Sequence, residues 1–188
     1  MNASHHQKTW ERKVVLVGAG AVGATFAYAL AQSGLADRIA LIDANEDLAR
    51  GQVMDLGHGQ PYFPAATIQA GTPADYADAD VIVMTAGVAQ RPGESRLQLM
   101  QRNADVVRSV TGDMLAHNAR GVLLVVTNPV DIMTRVALRS LGWDRARVIG
   151  SGTVLDSARL RYLLGSQCGV DVHNVHGYVE LVPMGLKH

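Results

Sequence analysis

The stretch Gly18-Ala19-Gly20-Ala21-Val22-Gly23 sets three glycines at the spacing G-x-G-x-x-G, and Asp43 follows Gly23 by 20 residues. Each position suits one task in holding a dinucleotide. Gly18 permits a tight turn, Gly20 lets a pyrophosphate approach the backbone, and Gly23 allows a helix to pack closely on a strand. The helix that begins here offers free N–H groups and a partial positive charge to phosphate oxygens. Asp43 would accept hydrogen bonds from ribose hydroxyls and repel a 2′-phosphate, which favours NAD over NADP. Without its flanks the pattern is also met in glycine turns that bind nothing, so the surrounding elements decide its meaning.

Those elements are the right ones. Lys13 to Val17 is an apolar run ending at the first glycine, the mark of a buried parallel strand. Ala21 to Ser33 reads as a helix stopped by Gly34, and Arg38 to Asp43 as a second buried strand. Further helices are predicted over Glu46–His58, from an N-cap at Ser95 to about Asn118, over Val130–Leu141 and over Val154–Leu164. Strands are predicted at Ala66–Ala70, Asp80–Thr85, Val122–Thr127 and Arg147–Ile149, and Val172–Val182 reads as partly strand-like. Strands alternating with helices predict an α/β fold, a doubly wound parallel sheet of the Rossmann type.

Composition narrows the classes. Lys+Arg and Asp+Glu both number 17, so no general charge draws the chain to nucleic acid or an anionic membrane. No apolar run suffices for a membrane span or a signal peptide. Cys168 is the single cysteine, which excludes an internal disulfide and fits a reducing compartment. Cys168 reads as a small hydrophobe, with no acyl-transfer constellation around it. His5-His6 sits on a polar tail and reads as tail, with no metal site. A cytoplasmic location is expected.

Several longer stretches carry a resemblance. They are Thr85-Ala86-Gly87, Gln90-Arg91-Pro92-Gly93-Glu94-Ser95-Arg96 and Thr127-Asn128-Pro129-Val130-Asp131, followed by Ile149 to Arg159 and Asn174-Val175-His176-Gly177-Tyr178. In order and spacing the chain resembles the lactate/malate dehydrogenase family, and within it the L-lactate dehydrogenases. The resemblance implies hydride transfer between NADH and a 2-oxo acid. It divides the chain into a tail 1–12, an NAD-binding domain 13–150 and the truncated start of a substrate domain 151–188.

The resemblance also implies roles for single residues. Arg159 would hold the substrate carboxylate through two parallel hydrogen bonds. Asp156, three residues earlier on the same helix face, would orient a catalytic histidine. Arg96, following a loop that closes over the substrate, would polarise the reacting carbonyl. Asn128 would hydrogen-bond the substrate oxygen and border the cofactor. Val22, Gly87, Val88, Ser109, Val126 and Ser151 match positions lining the cofactor groove. Gln90 stands where malate dehydrogenases typically carry arginine, so a neutral side chain favours pyruvate over oxaloacetate. Arg161 and His176 match positions that bind fructose 1,6-bisphosphate as an effector in bacterial lactate dehydrogenases. A surface arginine and a structural histidine describe them equally well. The family forms homo-oligomers, tetramers among them.

One part of the pattern is missing. The family's acid/base histidine lies in a Gly-Glu-His-Gly-Asp motif soon after the stretch matched by Asn174 to Tyr178. Here Tyr178-Val179 runs directly into Glu180-Leu181-Val182-Pro183. His173, His176 and His188 lie outside that motif, so the catalytic role passes to none of them. The expectation is a lactate dehydrogenase-type chain that is inactive as written. The alternatives are a malate dehydrogenase-type enzyme and a non-catalytic NAD-binding module.

Overall fold

The structure is a computed structural model and describes residues 11–180 of the 188. His5, His6, His188 and the end of the predicted tail strand lie outside the described residues. The chain forms two compact units, Met1–Ile149 and Gly150–His188.

The first unit alternates strand and helix: β1 (Lys13–Val17), α1 (Ala21–Ser33), β2 (Arg38–Ile42), α2 (Glu46–Gly59), β3 (Thr67–Ala70), β4 (Val81–Met84), α3 (Arg96–Ala116), β5 (Val122–Val125) and α4 (Val130–Leu141). The short strand β6 (Val148–Gly150) completes a six-stranded sheet of order β3-β2-β1-β4-β5-β6. The pairs from β3 through β5 are parallel, with Val14 opposite both Ile39 and Val81. The sheet is doubly wound: the order turns back at β1, and crossovers on either side of it leave opposite faces covered.

Successive strand residues point to opposite faces. Val14, Leu16, Ile39, Leu41 and Val83 bury one face against α1 and α2. Val15, Val17, Ile82, Met84, Leu123 and Val125 bury the other against α3 and α4. Strands covered on both faces are apolar throughout, hence the unbroken runs in the sequence. Helix α1 presents Gly23, Ala27 and Ala31, small side chains that let its axis approach the sheet. It ends where Gly34 turns left-handed at φ 64°, as its position in the sequence suggested. Ser95 starts α3 through a capping box in which its side chain accepts from Gln98 N.

The second unit consists of α5 (Val154–Cys168) and a 3₁₀ turn at Val172–Asn174. Three expectations are corrected there. Helix α5 continues four residues past Leu164, to Cys168: Gly165 stays helical and buried, where a Cβ would lie 3.1 Å from Val170 O, and Gly169, left-handed at φ 65°, ends the helix. Cys168 is exposed, so it does not serve as a small core hydrophobe. The tail strand predicted from Val172 does not form among the described residues. Side chains of the same unit take up its backbone instead. Ser157 Oγ accepts from Val179 N at 2.9 Å, Thr153 Oγ1 donates to Val179 O, and Arg161 Nε donates to Val175 O at 2.7 Å. Hydropathy alone registered the β-like composition, while these polar partners gave the backbone another way to be satisfied.

Candidate cofactor and substrate site

The strands of the first unit end along one edge of the sheet, and the loops leaving β1, β2, β4 and β5 carry most of the residues singled out above. The glycine loop is the tightest of them. Gly18 sits at φ +103°, and a Cβ there would lie 2.6 Å from Ala86 N. A Cβ on Gly23 would fall 1.8 Å from Gly18 O and 2.8 Å from Thr85 Oγ1. Thr85 donates its hydroxyl to the Val17 and Gly18 carbonyls at 3.0 Å, clasping the turn from β4. Gly20 is different, since a Cβ there meets nothing within 4 Å. Helix α1 has no capping side chain and no acid in its first turn, so its leading N–H groups are free to bind an anion.

Asp43 follows β2. Its Oδ2 accepts from Ala19 N at 2.7 Å and its Oδ1 from Asn45 N at 2.8 Å. Each oxygen keeps a further lone pair. Asp43, Gly18 and Gly20 line one cleft of about 850 Å³, which Ser109 of α3 also borders. Its far wall includes Thr72 and Tyr76. Burial, with a smaller contribution from the negative charge of Asp113, pushes the Tyr76 phenol well above its ordinary pKa, so it stays neutral.

A second cleft of about 750 Å³ shares Thr85, Gly87 and Val88 with the first. Gln90, Arg96, Asn128, Val22 and Val126 line it. Arg96 is exposed and has no ion-pair partner among the described residues. Gln90 Nε2 donates to Glu94 O at 2.8 Å, folding the loop between β4 and α3 on itself. The Glu94 carboxylate accepts from Arg102 at 2.8 Å and from Arg91 N at 2.8 Å. The Arg102 hydrogen bonds hold that carboxyl below the usual range, helped by Arg91 N–H. No histidine among the described residues lines either cleft.

In the second unit Asp156 and Arg159 form an exposed ion pair at 3.2 Å, one turn apart on α5. Ser151 stands in the turn before α5, its carbonyl accepting from Val154 N at 3.2 Å. Arg161 bonds the segment carrying His176, which is itself exposed.

Comparison with known proteins follows the same lines. Residues 12–150 match the family model described as lactate/malate dehydrogenase, NAD binding domain. The chain belongs to this family. An L-lactate dehydrogenase of Treponema denticola is 56% identical over 169 residues, covering 90% of this chain and 54% of that protein. One of Thermoanaerobacter pseudethanolicus is 47% identical, over 89% of this chain and 54% of its own length. The crystal structure of a minor L-lactate dehydrogenase from Enterococcus mundtii in a ligands-bound form superposes with TM-score 0.88 at 38% identity. That superposition covers 90% of this chain and 54% of that one. The chain thus spans about half the length of the curated relatives it matches. The family's cofactor is NAD, and the cleft fits it: the open space beyond Gly20 admits a pyrophosphate, and Asp43 retains acceptors for ribose hydroxyls.

Sequence reasoning passed over Tyr76, Thr72 and Asn103. Asn103 is 5% exposed on α3 and lines the second cleft. A signal for it existed. It falls on the stripe Asn103, Val107, Thr111, Met114 that α3 buries, and a polar residue on a buried stripe must have partners.

Proposed function

We propose that this chain is the dinucleotide-binding part of an NAD-dependent L-lactate dehydrogenase that interconverts pyruvate and L-lactate. The observation that carries the reading is the cleft shared by Gln90, Arg96 and Asn128, continuous through Thr85, Gly87 and Val88 with the cleft of the glycine loop. The N-terminus of α1 and Gly20 would hold the pyrophosphate, and Asp43 a ribose. Val22, Val88, Val126, Ser109 and Ser151 would border the rest of the cofactor. NADH bound there supplies the hydride. Arg96 would stabilise negative charge growing on the carbonyl oxygen, and Asn128 would donate to that oxygen. Gln90, neutral, leaves room for the pyruvate methyl and offers no counter-charge to a second carboxylate. Arg159 would hold the carboxylate as a planar fork, with Asp156 beside it.

The location would be cytoplasmic, where pyruvate reduction regenerates NAD for glycolysis. Among the described residues, no helix is long and apolar enough to cross a membrane. Arg161 and His176 are proposed contacts for fructose 1,6-bisphosphate by the resemblance, and Arg161 Nε donates to Val175 O, next to His176. A homo-oligomer of the family type is proposed with them.

Two measurements test this reading. NADH should bind the 188-residue chain more tightly than NADPH. These residues alone should leave pyruvate unreduced, because among the described residues no histidine or carboxyl group lines the cleft to protonate the nascent alkoxide. Turnover on the order of 10 s⁻¹ by the chain alone would refute the second expectation. In a protein that also contains the remaining length of its relatives, pyruvate should be preferred to oxaloacetate. Equal use of both would overturn the substrate assignment.

A further inference from the structure

The loop leaving β4 and the loop leaving β5 both line the second cleft, and two buried side chains stitch them together. Thr127 donates its hydroxyl to Ala86 O at 2.7 Å. Asn103 reaches up from α3. Its Oδ1 accepts from Val88 N at 2.8 Å, and its Nδ2 donates to Asn128 O at 3.2 Å. The approach is close enough that a Cβ on Gly87 would lie 3.1 Å from Thr127 Cγ2 and 3.2 Å from Asn103 Oδ1.

We propose that Asn103 is a positioning residue that fixes Val88 and Asn128 in register across the cleft, and with them the end of the dinucleotide site remote from Asp43. The proposal rests on the reading given under Proposed function. The chemistry of the two partners dictates the side chain. Val88 offers an N–H and Asn128 a carbonyl, so the clamp must accept at one end and donate at the other. A neutral primary amide does both, and only one of its two orientations serves. Aspartate keeps the bond to Val88 and sets a lone pair against the Asn128 carbonyl. Leucine, similar in volume, serves neither. Because Asn103 is 5% exposed, water does not readily replace a lost bond.

The experiment compares two probes on the 188-residue chain. NADH reaches both ends of the site, whereas ADP lacks both the nicotinamide and its ribose and reports the glycine loop and Asp43. In Asn103→Asp and Asn103→Leu the Kd for NADH should rise at least fivefold while that for ADP changes less than twofold. Parallel weakening of both would reduce Asn103 to a general structural role and overturn the proposal, as would no change in either. Should both variants fail to fold, hydrogen exchange of the unmodified chain decides. The Val88 amide should be protected without ligand, and exchange at the rate of an open loop would overturn the clamp. If the unmodified chain binds ADP but the Val88 amide is unprotected, the clamp fails alone. If it binds neither probe, the dinucleotide reading fails and the clamp with it.

Discussion

Asp43 Oδ2 accepts the Ala19 N–H at 2.7 Å, tying the end of β2 to the glycine loop of β1. One carboxylate therefore shapes the loop that faces the cofactor and presents charge to the ribose. Asp43→Asn keeps an acceptor and removes the charge. Hydrogen bonds to charged groups contribute about 1.5–3 kcal/mol, so NADH affinity should fall roughly tenfold or more. NADPH affinity should fall less or rise, since the repulsion of the 2′-phosphate is gone. Calorimetric titration with both cofactors at fixed salt checks this; an unchanged NADH to NADPH ratio would contradict it.

Gly20 and Gly23 separate ligand from fold. Gly23→Ala drives a methyl to 1.8 Å from Gly18 O, where backbone must move. Overpacking costs typically 1–3 kcal/mol, and contact with backbone lies at the upper end. Gly20→Ala places its methyl in open space. The expected pattern is a clear drop in Tm for Gly23→Ala, and for Gly20→Ala an almost unchanged Tm with weakened NADH binding. Thermal melts with and without NADH measure both. A lowered Tm with normal binding for Gly20→Ala would count against the phosphate site.

Gln90 donates to Glu94 O within its own loop, so the loop closes on a neutral group. Gln90→Arg introduces a cation able to meet a second carboxylate. In a protein containing the full length of its relatives, the ratio of kcat/KM for oxaloacetate over pyruvate should rise by one to two orders of magnitude, about 1–3 kcal/mol. An unchanged ratio would remove Gln90 from substrate selection.

Much of this was legible in the sequence, for identifiable reasons. Fully buried strands write their position as unbroken apolar runs, and Gly18, Gly23 and Gly34 mark places where a side chain clashes or the backbone turns left-handed. What escaped was decided across the chain. Asn103 matters because Val88 and Asn128 fold to either side of it, 15 and 25 residues away. The tail after Val172 looked β-like by composition, and the side chains of Ser157, Thr153 and Arg161 decided otherwise. Tyr76 became part of a cleft wall only when the turn after β3 packed against α3.

Lys13 lies in the core. Its backbone opens β1, yet its side chain is only 4% exposed and its ammonium meets Asp75 at 2.9 Å as well as Asp78. Asp75 also accepts from Thr72 N at 2.8 Å and from Gln69 Nε2 at 3.2 Å, so the charge beneath the sheet is linked to the turn that walls the dinucleotide cleft. Burial pushes the Asp75 carboxyl up, but the bonds from Thr72 N–H and Lys13 together outweigh it and leave its pKa below the ordinary value. Asp78 behaves alike, burial being opposed by Lys13 and Arg38. Groups whose pKa is lowered on folding stabilise the folded chain above their unfolded pKa. That contribution is lost as pH falls below about 4. Acid melts should therefore show Tm declining through this range, with a shallower decline in Asp75→Asn, which has one titrating group fewer. Lys13→Met at pH 7 strands Asp75 in a largely buried position, and breaking such a pair costs on the order of 3 kcal/mol. The double variant Lys13→Met/Asp75→Asn should recover part of that loss, because it leaves no uncompensated charge at Asp75. Denaturant melts of the two single variants and the double variant give the coupling directly. Strictly additive losses would show that the pair contributes nothing beyond its separate side chains.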